Sequence, residues 1–88
     1  MNLTRAVRVR WIDTQSDAWG WTPLDELDPT PCVVTTVGTL VEPSPRPGHV
    51  TVVLSWHGGD GRDIAVDSAC HIPERAIVSV ETLTVENA

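Results

Sequence analysis

Apolar and polar residues alternate with a period of two along much of this chain. In Arg5–Ile12, Val7, Val9 and Trp11 alternate with Arg8 and Arg10. In His49–Trp56, Val50, Val52, Leu54 and Trp56 alternate with His49, Thr51, Val53 and Ser55. Ile64, Val66 and Cys70 alternate with Asp63, Ala65 and Asp67 in a run from Arg62 to about Ile72. Successive side chains of a strand point to opposite faces, so each run predicts a half-buried strand. The run Cys32–Glu42 is apolar on both faces in places and holds Gly38 at its middle, which predicts a strand bent or bulged there. A fifth strand is predicted over Ala76–Val85.

The connections have their own chemistry. Asp13–Asp17 is a polar loop, followed by Trp19-Gly-Trp21. In Thr22–Leu27, Thr22 suits an N-cap, Pro23 suits the first helical position, and Asp25 gives a capping-box-like spacing. This predicts one short helical turn near residues 23–28 with Leu24 and Leu27 on one face, stopped by Asp28–Pro31. Pro43–Gly48 is a stiff turn, His57–Gly61 is a hairpin loop, and Pro73–Arg75 is a single turn before the last strand. The expected architecture is mostly β: a five-stranded small barrel or curled sheet, one domain spanning residues 1–88.

Strands followed by a Pro-led turn and a closing apolar strand are how small SH3-like and Sm-like barrels end. From Gly38 to Val80 the chain resembles the Sm-like family, through Gly38-Thr-Leu40, Val50–Leu54 and Glu74–Val80. That resemblance implies an SH3-like or Sm-like barrel and ring-type self-association. Sm-like proteins carry an Asp and an Asn between their second and third strands for contacts to RNA bases. Here that loop is Pro43-Ser-Pro-Arg-Pro-Gly48, with neither residue, so RNA binding is not carried over. Over nearly its full length the chain also resembles short acidic accessory proteins of actinobacterial phages, through Val9–Asp13, Gly20–Glu26, Thr36–Gly38, Ile72-Pro73 and Ala76–Val78. The absence of Lys, Phe and Tyr fits a GC-rich coding source.

At 88 residues the chain buries only about 60–65% of its unfolded surface, so added stability from a disulfide, a metal or self-association is expected to matter. A homo-oligomer is the expected solution, because a long fifth strand would otherwise leave an open edge. The net charge of −6 repels phosphate backbones and predicts no generic nucleic-acid binding. No run is long or apolar enough to span a bilayer, and no apolar leader follows the first arginines, so a cytoplasmic location without membrane attachment is expected. Cys32 and Cys70 are then expected as reduced, small buried residues, with a disulfide as the second reading.

No catalytic constellation emerges, and the chain is read as non-enzymatic, with no cofactor. His57-Gly-Gly matches the oxyanion loop of esterases only superficially, since the G-x-S-x-G elbow is absent. Cys32, Cys70, His49, His57 and His71 lack zinc-ligand spacing, and Cys70 and His71 should point to opposite faces of a strand. Trp11 and Trp56 are expected inside the barrel. Trp19 and Trp21 flank Gly20 in the longest loop, beside Asp25 and Glu26, and exposed Trp is enriched at binding hot spots. The expected function is therefore binding of a protein partner, with Trp19 or Trp21 as anchor and Asp25 and Glu26 at the rim. The alternative is a module for a nucleotide signal or single-stranded RNA, held by Arg8, Arg10 and Arg62.

Overall fold

A computed structural model describes residues 2–3, 5–16 and 20–84. The strands are β1 (Ala6–Asp13), β2 (Cys32–Val41), β3 (His49–His57), β4 (Ala65–Pro73) and β5 (Ile77–Thr82). Three-residue 3-10 turns occupy Leu24–Glu26 and Glu74–Ala76. One antiparallel sheet takes the order β4-β3-β2-β1-β5. Among the described residues β4 and β5 form its two outer edges, and the sheet does not close into a barrel.

Alternation sets which side chains face inward. Val7 and Val9 on β1, Leu40 on β2, Val52 on β3 and Ile72 on β4 form the buried core, with Trp11, Val50, Cys70 and Ile77 packed at its margin. Leu40 lies directly opposite Val52, and Cys70 opposite it on the other side. Trp11 donates its indole N–H to the Thr36 hydroxyl at 2.9 Å, which satisfies its one polar group as it packs. A second, smaller cluster lies on the other face, where Leu3 covers Val41 and Val53. The backbone pairing of Asn2 with Glu42 holds Leu3 there, and the Arg5–Glu42 ion pair at 3.1 Å lies beside it.

Gly38 decides how the sheet is shaped. A Cβ at this position would stand 2.6 Å from the Val53 carbonyl oxygen and 2.7 Å from a Val52 methyl. Only glycine lets β3 pass that close. Pairing of β2 with β3 is confined to Thr39–Val41 against Thr51–Val53. The first part of β2, from Cys32 to Gly38, pairs with β1 instead. Beyond Val53, β3 pairs only with β4, so Leu54–His57 and Ala65–Asp67 form a two-stranded arm joined by the 58–64 loop. Ser68, at the root of this arm, takes a left-handed φ of 57°. The radius of gyration is 16.9 Å, against about 12 Å for a compact chain of this length.

Four local expectations are corrected. Trp56 does not enter the core; it sits on the arm with 42% of its surface exposed, because no third strand lies beneath it. The 22–27 segment forms only a 3-10 turn, with Pro23 at its start and no side-chain cap, so Thr22 and Asp25 make no capping box. Its Leu24 and Leu27 face solvent. β4 begins at Ala65 rather than Arg62, because the tip loop is wider than a tight hairpin. β5 starts at Ile77 and ends at Thr82, where the Leu83 N–H reaches the Ala6 carbonyl at 2.9 Å as the last link to β1. Val85 lies outside the described residues.

Candidate contact surfaces

Among the described residues Trp21 is the most exposed large hydrophobic side chain, at 105% of its reference surface. The stretch from Gly20 to Pro31 is exposed throughout. Its 3-10 turn is closed by the Glu26 N–H on the Pro23 carbonyl at 3.0 Å. Asp28 ends the turn by accepting the Thr30 backbone N–H at 2.9 Å. That hydrogen bond, followed by one to the Thr30 side chain, holds the Asp28 carboxyl below its ordinary range. Trp21, Leu24 and Leu27 thus present apolar groups to solvent beside Asp25 and Glu26. Trp19 and Asp17 lie outside the described residues.

The arginines of the alternative site lie on separate elements. Arg8 and Arg10 occupy the outer face of β1, while Arg62 is exposed at the tip of the arm. Arg8 donates to Glu81 at 2.7 Å. This hydrogen bond, reinforced by the charge attraction, lowers the Glu81 pKa and raises that of Arg8.

Two features escape the alternation pattern. The first is the arm, whose inner face exposes Leu54, Trp56 and Val66, with Ile64 next at the same parity. Trp56, Ile64, Leu3 and the tip glycines Gly58 and Gly59 line an open depression of about 550 Å³. Only Gly38, read together with the short overlap of β2 and β3, signals that this arm lies beyond the core. The second is a hydroxyl chain. Buried Thr51 shares a hydrogen bond with the Ser44 hydroxyl at 2.7 Å and another with His71 Nδ1 at 2.7 Å. Ser44 in turn donates to the Arg46 carbonyl at 3.0 Å and accepts from its N–H at 3.1 Å. The chain fastens the 43–48 turn to β3 and β4. A hydroxyl of Thr51 stands between Ser44 and His71, so the arrangement is a clamp and not a serine nucleophile beside its base.

Cys32 and Cys70 are both free thiols and half-buried. Cys70 lies against the core and His71 on the opposite face beside Thr51. Among the described residues no group of three or more His, Cys, Asp or Glu side chains is placed to hold a metal ion. No helix among them is long and apolar enough to cross a membrane.

Comparison with protein-family models, with curated proteins and with solved structures gives no match in any of the three.

Proposed function

We propose that this chain is a non-enzymatic, self-associating interaction protein that binds a protein partner through Trp21, with Asp25 and Glu26 at the rim of the contact. The observation that carries this reading is the full exposure of Trp21 beside Leu24 and Leu27 on a short acidic turn. Aromatic side chains with apolar neighbours and a charged rim have the composition of an interface centre and its border. In this reading the sheet is an SH3-like or Sm-like small barrel left open between β4 and β5. The strand order and the 3-10 turn between those two strands support it. In this reading the chain acts on host or phage protein in a bacterial cytoplasm without a cofactor, a role that its resemblance to actinobacterial phage accessory proteins supports. The negative charge supports a partner other than generic nucleic acid.

The test is capture of partners from an infected lysate on immobilised protein, followed by binding measurements on the recovered partner. Trp21→Ala should weaken binding by about 2 kcal/mol or more, as truncated Trp anchors do, and leave the melting temperature unchanged. Undiminished binding by Trp21→Ala and by a Asp25→Asn/Glu26→Gln double variant would remove this segment from the interface.

A further inference from the structure

The hydroxyl chain at the foot of the β3–β4 hairpin is short of protons unless a histidine supplies one. Ser44 and Thr51 each carry a single hydroxyl proton. Three contacts in line each need one: Ser44 to the Arg46 carbonyl at 3.0 Å, Ser44 to Thr51 at 2.7 Å, and Thr51 to His71 Nδ1 at 2.7 Å. A carbonyl oxygen only accepts, so the Ser44 proton is committed to Arg46. The Thr51 proton then serves the Ser44 contact, and the third proton has to come from the ring. With Nδ1 bare, two protons would face three contacts, and one contact would set lone pair against lone pair. Thr51 is 1% exposed, so water does not replace a missing bond there. In this order Ser44 gives its proton to Arg46 and accepts both the Thr51 hydroxyl and the Arg46 N–H at 3.1 Å, which fills its hydrogen-bonding capacity.

We infer that His71 is held as the Nδ1–H tautomer and is the latch of the 43–48 turn, from which a one-way hydrogen-bond chain runs through Thr51 and Ser44 to the Arg46 carbonyl. A second histidine works in the same way. His49 Nδ1 lies 2.8 Å from the Pro47 carbonyl, another group that only accepts, so His49 also donates from Nδ1 into this turn. The two histidines share one face of the hairpin: His71 is directly opposite Thr51, and His49 is two residues from Thr51 along β3. The turn is thereby gripped from both strands, and the Glu74 N–H on the Gly48 carbonyl at 2.9 Å ties it further. The sequence explains why side chains do this work. Pro43, Pro45 and Pro47 have no backbone N–H, so the turn has few donors with which to fasten itself. In each neutral ring Nε2 is left as the accepting nitrogen, so what either histidine can offer a partner group is an acceptor. The latch operates within one chain and is independent of the Trp21 contact.

The experiment is two-bond proton–nitrogen correlation NMR on the isotope-labelled full chain, which separates a protonated ring nitrogen from a bare one. It is run at a pH of about 8.5, where an ordinary imidazole, with a pKa of about 6.5, is neutral. In the wild type, Nδ1 of His71 and of His49 should show the shift of a protonated nitrogen and Nε2 that of a bare one. His57, exposed on the arm, supplies the averaged pattern of a free ring. Ser44→Ala leaves Thr51 and His71 in place but frees the Thr51 proton to turn toward Nδ1. The His71 pattern should then move toward that of His57, with His49 unchanged. Thr51→Val removes the acceptor itself and should produce the same movement. Circular dichroism melting confirms that each variant folds. A bare Nδ1 on His71 in the wild type overturns the inference, and that observation requires no variant. A His71 pattern that neither substitution changes also overturns it, because the tautomer would then be set outside the chain. Movement in Thr51→Val alone overturns the one-way chain, because Ser44 would have no part in it.

Discussion

The two halves of the β3–β4 hairpin have the same alternation and opposite fates. At the base, Val52 and Ile72 are buried in the core. Farther out, Leu54 is 66% exposed and Val66 46% exposed, although they continue the same stripe on the same face. Strand chemistry is alike in the two halves, since both pair in one unbroken register apart from the kink at Ser68. The difference is the neighbour. The base lies beside β2 over Thr39–Val41, whereas the arm has only itself. Period-two patterning therefore fixes which way a side chain points, and the number of strands beneath it fixes whether it is buried.

The sharpest way to break this comparison is to truncate one residue in each half. Ile72→Ala should cost about 2–5 kcal/mol, the range for a fully buried aliphatic side chain. Val66→Ala, in dilute protein, should stay within about 0.5 kcal/mol, as surface changes do. Urea unfolding of the two variants measures both. Equal losses would mean that the arm is packed as tightly as the base.

Next in size is the branch point. Gly38→Ala places a methyl group against the Val53 carbonyl and the Val52 side chain, both parts of the core edge. Thermal unfolding should show a loss of about 1–3 kcal/mol, the usual cost of overpacking. Gly48 has nothing within 4 Å of its missing Cβ, so its replacement by Ala tests left-handed backbone strain alone, at φ 72°. A Gly38 effect no larger than that at Gly48 would contradict the close approach of β3 to Gly38.

The clamp at the foot of the hairpin comes third. Thr51→Val keeps the shape of a buried side chain and removes the hydroxyl shared by Ser44 and His71. The loss should be about 1–3 kcal/mol, less to the extent that the exposed ends of those partners recover water. Hydrogen exchange in the 43–48 turn should quicken together with the loss of stability.

The smallest effect belongs to the outer face. The Glu81 pKa is lowered in the folded chain by the Arg8 hydrogen bond and charge. A lowered folded-state pKa means stabilisation that is present above the ordinary carboxylate range and lost as the pH falls through the folded value. The wild type should therefore lose its small advantage over Glu81→Gln on acidification, and lose part of it in high salt. A difference independent of both pH and salt would show that the pair contributes through packing of its side-chain stems instead.

Within the chain, legibility followed the range of the interactions. Val7, Val9 and Trp11 against Arg8 and Arg10 placed β1 and its inward face correctly, because alternation is a property of adjacent residues. The glycine in β2 and the Pro-led turn before β5 were legible for the same reason. Trp56 was misread as core, since nothing in its own strand reports how far β2 accompanies it. The capping box was misread because Thr22 and Asp25 favour a helix start, but a three-residue turn without a packed face gains too little to extend. Of the candidate contact residues, Trp21, Asp25 and Glu26 all lie in the exposed 20–31 stretch, with Asp25 and Glu26 on its 3-10 turn, and Arg8, Arg10 and Arg62 are divided between β1 and the arm tip.

The sequence by itself determined a mostly β chain: strand positions, the parity of each strand, the glycine inside β2 and the acidic balance all follow from local pattern and composition. Tertiary structure alone decided the order β4-β3-β2-β1-β5, the open edges at β4 and β5, the exposure of the arm and the joining of Ser44, Thr51 and His71. The physical reason is that backbone direction and side-chain parity are set within a few residues, whereas burial and long-range hydrogen bonds depend on which strands meet and for how long. Here that overlap is three residues of β2 on three of β3, and it separates a core from an uncovered arm built on the same pattern.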